Sequence, residues 1–305
     1  MNPKPIAIQE LSKVFRAKRG RKIMALDHLT LQVDEGEVFG FLGPNGAGKS
    51  TSIKTLVGQI KATSGTARIF DCPVDNPESR KRIGYLPENP SLYDFLTARE
   101  FLKLVGSTFG MDETAIRKES DRVLELLDLT VACERPIRGY SKGMVQRLGL
   151  AQTLLHDPDL FILDEPMSGL DPLGRALVKD IMVDLKKRGK TVFFSTHVTA
   201  DVEAVCDRVA VIVSGKLQSV NVVSDLLDKG IEGYTLQIRN CPENVLEGAD
   251  VKSCSADIHK VFIARSELNE FTSRIANAGG EIMLVEPRRR NLEQFFLDVV
   301  HRETG

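Results

Sequence analysis

The stretch Val38-Phe39-Gly40-Phe41-Leu42-Gly43-Pro44-Asn45-Gly46-Ala47-Gly48-Lys49-Ser50-Thr51 decides how this chain is read. Its second part fits G-x-x-x-x-G-K-[ST], a pattern with a mechanism only between a strand and a helix. Both are predicted here: Val38–Leu42 is an apolar run of buried-strand type, and Ser52-Ile53-Lys54-Thr55-Leu56-Val57 reads as helix. The glycines let the backbone curl, so that successive N–H groups and the positive end of the helix face an anion. Lys49 would reach the β- and γ-phosphates of a nucleotide, and the Ser50 hydroxyl would join the shell of a Mg²⁺ ion. By itself the pattern leaves kinases, GTPases, motor ATPases and transporter ATPases open.

Composition narrows the class without choosing within it. With 305 residues the chain can bury a large core, as one large domain plus a small one or as two of middling size. A net charge of −1 argues against a surface that binds nucleic acid or acidic membrane over its whole extent. Cys72, Cys133, Cys206, Cys241 and Cys254 form no C-x-x-C pair, so neither a zinc site nor a disulfide framework is expected, and reduced cytosolic thiols fit. The chain opens without an apolar signal segment and holds no run near the roughly 20 apolar residues of a membrane span. If it works at a membrane, other chains carry it there.

Outward from the loop, Ile6-Ala7-Ile8 and Leu29-Thr30-Leu31-Gln32-Val33 alternate as an antiparallel layer, separated by the basic turn Arg16 to Lys22. Phe15 lies in that layer, where it fits either a core sheet position or a ring stacked on a nucleotide base. Ala67–Phe70 and Ile83–Leu86 are further strand candidates, the second ending at Pro87-Glu88. Thr97-Ala98-Arg99-Glu100 is a capping box opening an apolar-periodic helix, and Ile116, Val123, Leu124, Leu126 and Leu127 mark another. Residues 88 to 156 thus read as a mostly helical insertion, ending at Tyr140-Ser141-Lys142-Gly143-Met144 before a helix from Val145 to Leu155.

Leu160-Phe161-Ile162-Leu163 reads as a buried parallel strand that delivers Asp164 and Glu165 at its carboxyl end, where α/β folds keep their ligand sites. Asp164 can orient waters around Mg²⁺, and Glu165 can polarise a water that attacks the γ-phosphate. Ser168-Gly169-Leu170-Asp171-Pro172 follows as a turn. Thr191–Ser195 is another buried strand, and its end, Thr196-His197, leaves His197 equally open to a structural or a functional role. Val209–Val213 and the turn Ser214-Gly215-Lys216 complete the sheet.

In this order and spacing the motifs resemble the nucleotide-binding domain of ABC transporters, over about residues 5 to 220. The resemblance implies an α/β P-loop NTPase fold, a RecA-like core with an antiparallel β layer and a helical subdomain at about 88–156. It implies that Gly43 to Thr51, including Pro44, Asn45, Gly46, Ala47 and Gly48, is the Walker A loop, and that Leu160 to Glu165 is Walker B with Glu165 as catalytic glutamate. Ser168 to Asp171 would be the D-loop, with Asp171 at the nucleotide, His197 the switch histidine and Phe15 the aromatic on adenine. Ser141 and Gly143 stand where the family signature, usually Leu-Ser-Gly-Gly-Gln, supplies a hydroxyl and a backbone N–H to the γ-phosphate. Here it reads Tyr140-Ser141-Lys142-Gly143-Met144. Glu88 replaces the common glutamine that links metal to transporter; its carboxylate can still meet the Mg²⁺ shell but lacks the amide's donor.

In the family, ATP with Mg²⁺ lies between Walker A of one subunit and the signature of another, which implies a homodimer or a pair with a paralogous ATPase. The partner it drives is an integral membrane permease, gripped here by Asn89 to Phe95, with the ATPase peripheral on the cytoplasmic face of the membrane. After a connector at 221–232, finishing at Gly230, residues 233–305 read as a small α+β domain. Its expected elements are strands Tyr234–Ile238, Lys260–Ala264 and Glu281–Val285, a helix capped at Ser266 and stopped by Gly279-Gly280, and a final helix Asn291–Leu297. Phe295 and Phe296 are core or contact residues, and Arg288-Arg289-Arg290 reads as a solvated turn or a site for anionic headgroups or nucleotide. The extension, Tyr85-Leu86-Pro87-Glu88 and Ser141-Lys142-Gly143-Met144 resemble the ATPases of ABC-2 type exporters, the drug-resistance and sodium-extrusion group. The rival reading is a soluble ABC ATPase acting on nucleic acid or ribosomes; the chain has neither a second cassette, a long coiled-coil insertion nor a basic stripe to favour it.

Overall fold

The computed structural model describes residues 3–16, 21–229, 231–242, 245–246, 249–255, 258–289 and 292–304. Gly230, Arg290, Asn291 and most of the basic turn after Arg16 lie outside the described residues. The chain divides into two compact units, Met1–Val223 and Ser224–Gly305. In chain order the first unit holds β1 (Ile6–Arg16), β2 (Lys22–Val33), β3 (Val38–Leu42), α1 (Lys49–Leu56), β4 (Ser64–Ile69), β5 (Cys72–Pro73) and β6 (Ile83–Leu86). There follow α2 (Ala98–Thr108), α3 (Glu113–Leu126), α4 (Lys142–Leu154), β7 (Leu160–Asp164), α5 (Pro172–Lys187), β8 (Thr191–Thr196), α6 (Thr199–Val205), β9 (Arg208–Val213) and β10 (Lys216–Val222).

One sheet of this unit is antiparallel, in the order β2-β1-β4-β5, with Ile6 opposite Val33 and Ile8 opposite Leu31. The other runs β10-β9-β3-β8-β7-β6, parallel from β9 to β6, with β3 between β8 and β9. Every residue of β3, β7 and β8 is buried, which is why they read as unbroken apolar runs. Alternate residues serve two cores. Phe39, Phe41, Ile162 and Phe193 face the antiparallel layer and pack with Ile6, Ile8 and Ile53; Phe193 stacks on Phe39 at 5.9 Å and meets Phe41 at 5.4 Å. Val38, Phe161, Leu163, Val192 and Phe194 face the helices, where Leu102, Val123, Leu148 and Met182 close the opposite core. The sheet therefore holds the loops at its carboxyl edge from both sides.

The helical insertion begins as its sequence directs. Thr97 Oγ1 accepts the Glu100 N–H at 3.2 Å while Glu100 accepts the Thr97 N–H at 2.8 Å. That bond to the backbone holds the Glu100 carboxyl below its ordinary range. Helix α4 starts at Lys142, earlier than the expected Val145, because the Ser141 hydroxyl accepts the Met144 N–H at 3.3 Å and caps the first turn. The expected connector is also shorter at its start: β10 continues to Val222 as the antiparallel partner of β9, before α7 (Val223–Lys229).

The second unit is a four-stranded antiparallel sheet, in the order β12 (Asp250–Ser255), β13 (Ile258–Ala264), β11 (Ile231–Arg239), β14 (Glu281–Arg289), with α8 (Leu268–Asn277) and α9 (Leu292–Thr304). Leu236, Ile238, Val261, Ile263, Phe271 and Ile275 form its core. Ser266 does not cap α8; a 3-10 turn, Arg265–Glu267, intervenes. Arg288 and Arg289 belong to β14 rather than to a turn, and Arg288 lies 4.9 Å over the Phe262 ring. Both Phe295 and Phe296 are half-buried. No helix among the described residues is long and apolar enough to cross a membrane.

Candidate nucleotide site

The P-loop closes onto α1 through Gly48, whose φ of 105° belongs to glycine and whose Cβ would come within 2.6 Å of the Ala25 carbonyl oxygen. At Gly46, with φ of 79°, no atom lies within 4 Å of where a Cβ would stand, so the loop faces open space there. Lys49, the first residue of α1, is buried and turned back on its own loop: Nζ donates to Gly43 O at 2.7 Å and Pro44 O at 3.3 Å and lies 3.5 Å from Glu165 Oε1. Over this loop is a cavity of ≈ 430 Å³ lined by Ala25, Pro44, Asn45, Gly46, Gly48, Lys49, Ser50, Thr51, Glu88, Glu165, Ser168 and His197. A cation, loop amides and a helix N-terminus in one concavity bind phosphate well.

The carboxyl ends of β7 and β8 supply the acids and their partners. Asp164, only 1% exposed, accepts the Ser195 hydroxyl at 2.6 Å and the Ser50 hydroxyl at 3.3 Å. Among the described residues no cationic side chain forms an ion pair with it. A buried carboxylate met by two hydroxyls and no cation, with all donors hard oxygens, fits a Mg²⁺ ion. Glu165 has φ of 47°, unusual for a side chain of this size. Its N–H donates to Ser195 Oγ at 3.0 Å, and its carboxylate oxygens lie 3.1 and 3.0 Å from His197 Nδ1. A carboxylate held between an ammonium and an imidazole can accept a proton from a water in the cavity and share it with the ring.

Other residues singled out in the sequence lie elsewhere. Phe15 is exposed near the end of β1, pairs with Ile23 and carries Lys13 Nζ 5.0 Å over its ring; it does not line the cavity. Ser141 and Gly143 at the start of α4 are outside it too. Asp171 caps α5 by accepting the Gly174 N–H at 2.8 Å. Glu88 also lines a larger cavity of ≈ 790 Å³, together with Asp164, Lys54, Tyr85, residues 89–92, Phe109 and His156. There the Tyr85 hydroxyl is buried without a hydrogen-bond partner among the described residues, and burial, with the charge of Asp164, pushes it up to about 12. His156 stacks on Phe109 at 3.7 Å and donates from Nε2 to Ile83 O at 3.2 Å; burial lowers its affinity for a proton.

Sequence reasoning missed Ser195 and Gln146. Ser195 gave little signal, because its strand, Thr191–Thr196, carries hydroxyls at both ends as well. Gln146, 3% exposed, donates from Nε2 to Glu165 O at 3.4 Å and Pro166 O at 3.2 Å; nothing in the sequence around it points to that contact.

Comparison with known proteins agrees with this geometry. The profile of the family described as ABC transporter matches residues 26–168. An uncharacterised ABC transporter ATP-binding protein of Nostoc is 36% identical over 306 residues, covering 99% of this chain and 91% of the relative. The bacitracin transport ATP-binding protein BcrA of Bacillus licheniformis is 39% identical over 215 residues, 70% of this chain and 68% of its own length. A solved ATP-binding subunit of an ABC transporter overlays with a TM-score of 0.66 at 31% identity, over 72% of this chain and 91% of that one. Likeness that runs the length of the chain and takes in both the P-loop and the acid pair means that this protein belongs to the ABC transporter family, as one of its ATP-hydrolysing subunits.

Proposed function

We propose that this ATPase powers a separate ABC-2 type membrane permease, as an exporter, and that two copies close around ATP. The observation that carries the reading is the division of the site. Lys49, Glu165 and His197 share one cavity, whereas Ser141 and Gly143 of the same chain stay outside it. A second chain, identical or paralogous, would bring its own Ser141 and Gly143 to the γ-phosphate, with Asp171 in the turn beside them. Phe15, exposed near the end of β1, would then receive the adenine on its ring.

Within each site, Gly43 to Thr51 would cradle the phosphates and Lys49 would exchange its loop carbonyls for phosphate oxygens. Ser50 and Asp164, with Glu88, would hold Mg²⁺, which when bound offsets the charge of the β- and γ-phosphates. Glu165 would take the proton of the attacking water while His197 keeps its carboxylate oriented. Loss of the γ-phosphate removes the bridge between subunits and lets them part. The residues 89–92 that line the larger cavity, with the exposed rings of Tyr93 and Phe95 6.0 Å apart, suit the grip on a permease at the inner membrane face. The unit from 224 on would be an accessory to the cassette.

Light scattering tests the split site directly. Glu165→Gln should dimerise only with ATP, while the unmodified protein releases phosphate; a variant that stays monomeric with ATP contradicts the shared site. Co-purification then identifies the partner. A hydrophobic membrane protein supports the transporter reading, and RNA or ribosomes in its place overturn it. Charge reversal within the segment Asn89 to Phe95, as Asp94→Lys, should abolish stimulation of the ATPase by the permease without changing the basal rate.

A further inference from the structure

We infer that Gln146 is a positioning residue through which helix α4 sets the carboxylate of Glu165; the inference rests on Glu165 acting as the base. Glu165 keeps a positive φ that a glutamate adopts only when its surroundings fix it. The next residue is Pro166, which has no N–H with which the chain could fasten itself. The fastening comes from two side chains on different elements. Ser195 of β8 takes the Glu165 N–H at 3.0 Å, and Gln146 of α4 donates to the Glu165 carbonyl at 3.4 Å and the Pro166 carbonyl at 3.2 Å.

These two anchors belong to different parts of the unit. Ser195 is locked into the central sheet, completely buried and bonded to Asp164. Gln146 stands in the second turn of the helix that Ser141 caps and that carries Gly143 in its first turn. A displacement of α4 relative to β7 therefore acts on the Glu165 peptide through Gln146. With that bond lost, the backbone relaxes from its positive φ and the carboxylate leaves its place between Lys49 and His197. The segment that would meet the other subunit's nucleotide is thus tied, through one buried amide, to its own chain's base. A glutamine that merely satisfied two loop carbonyls would affect stability and leave the chemistry alone.

Gln146→Met in the full chain keeps the side chain's length and removes the donor. Its kcat for ATP hydrolysis should fall about ten- to a hundredfold, as for a reacting group displaced by a fraction of an ångström to an ångström, with KM within about twofold of the unmodified value. Added to Glu165→Gln, it should cause no further loss, because a residue acting through Glu165 has nothing left to position. An unchanged kcat for Gln146→Met, or a full further loss in the double variant, overturns the inference. A Glu165→Gln variant that hydrolyses at the unmodified rate instead removes the reading on which it rests, before Gln146 is touched. Should the methionine variant fail to fold, Gln146→Glu reads the same contact by pH. Its buried carboxyl donates while protonated and turns a charge on two carbonyls once ionised, so its kcat should fall with rising pH where the unmodified protein's does not. Parallel pH profiles contradict the inference.

Discussion

Removing the Ser195 hydroxyl should damage the unit that holds the nucleotide in two measurable ways. Its oxygen is the hinge between the two acids, donating to Asp164 at 2.6 Å and accepting the Glu165 N–H at 3.0 Å. In Ser195→Ala, Asp164 loses a hydrogen bond to a charged group, worth about 1.5–3 kcal/mol, and the Glu165 N–H is left without a partner, at a cost of about 1–3 kcal/mol. Asp164 keeps its weaker bond from Ser50 at 3.3 Å, which places the net loss toward the lower end, near about 3 kcal/mol. For a unit of this size that lowers the unfolding midpoint by about 6–12 °C, read by scanning calorimetry. The second effect is on rate. Glu165 loses the anchor of its N–H, so kcat should fall while ATP still binds, and Ser195→Thr, which keeps a hydroxyl, should recover most of both losses. A midpoint within about 2 °C of the unmodified protein together with an unchanged kcat would refute the reasoning.

Three more outcomes can be checked. Lys49→Met removes a charge-assisted contact to phosphate, about 1.5–3 kcal/mol, so equilibrium dialysis should show ATP affinity reduced about ten- to a hundredfold; unaltered affinity would mean that Lys49 stays with its loop carbonyls when nucleotide arrives. Tyr85→Phe deletes a buried hydroxyl with no partner and should raise the melting midpoint by about 2–4 °C, whereas a drop would reveal a hydrogen bond or bridging water at that oxygen. His156, with Asp157 and Lys190 acting on it in opposite senses, has its pKa held below the ordinary 6.5 by burial. The stability that comes from its neutral ring is therefore present above pH 6.5 and lost as pH falls through the folded value. Phe109→Ala admits water to the ring, so an NMR titration should find its pKa moved up toward 6.5 and the acid loss of stability flattened; an unmoved titration would place the desolvation elsewhere.

What the sequence made legible was whatever local chemistry decides. A fully apolar strand that ends in Asp164-Glu165, a glycine-rich loop before Lys49, and the reciprocal bonds of Thr97 and Glu100 are each contained within a few consecutive residues. The rest depended on groups that meet only in space. Ser195 reaches Asp164 across the β7–β8 ladder, and Gln146 reaches Glu165 from a helix; neither contact leaves a periodicity to read. Strand β10 lacked the alternation that marks a half-buried strand, since most of its residues are only partly covered, and β12 is largely polar. Ser266 looked like a cap because serine is a good one, but the 3-10 turn after Ala264 moved the start of α8 past it. Arg288 and Arg289 were read as a turn because adjacent charges favour solvent, and pairing with β11 held them in a strand instead.

The place of β3 in its sheet also sets an order of events during synthesis. Val38 lies beside Val192 and Phe39 beside Arg208, so both flanking strands of the P-loop strand are encoded far downstream of it. As the chain leaves the ribosome, the β1–β2 hairpin can pair at once, the insertion can cap its helices, and β6 can pair with β7. Strand β3, apolar throughout, must wait with its backbone unpaired until β8 and then β9 emerge. A nascent chain that stops between Glu165 and Thr191 therefore already contains the phosphate loop and both acids, and still lacks β8, the strand that joins the one to the other. Nucleotide affinity is among the last properties this unit acquires, and the wait exposes the segment on which that affinity depends to aggregation.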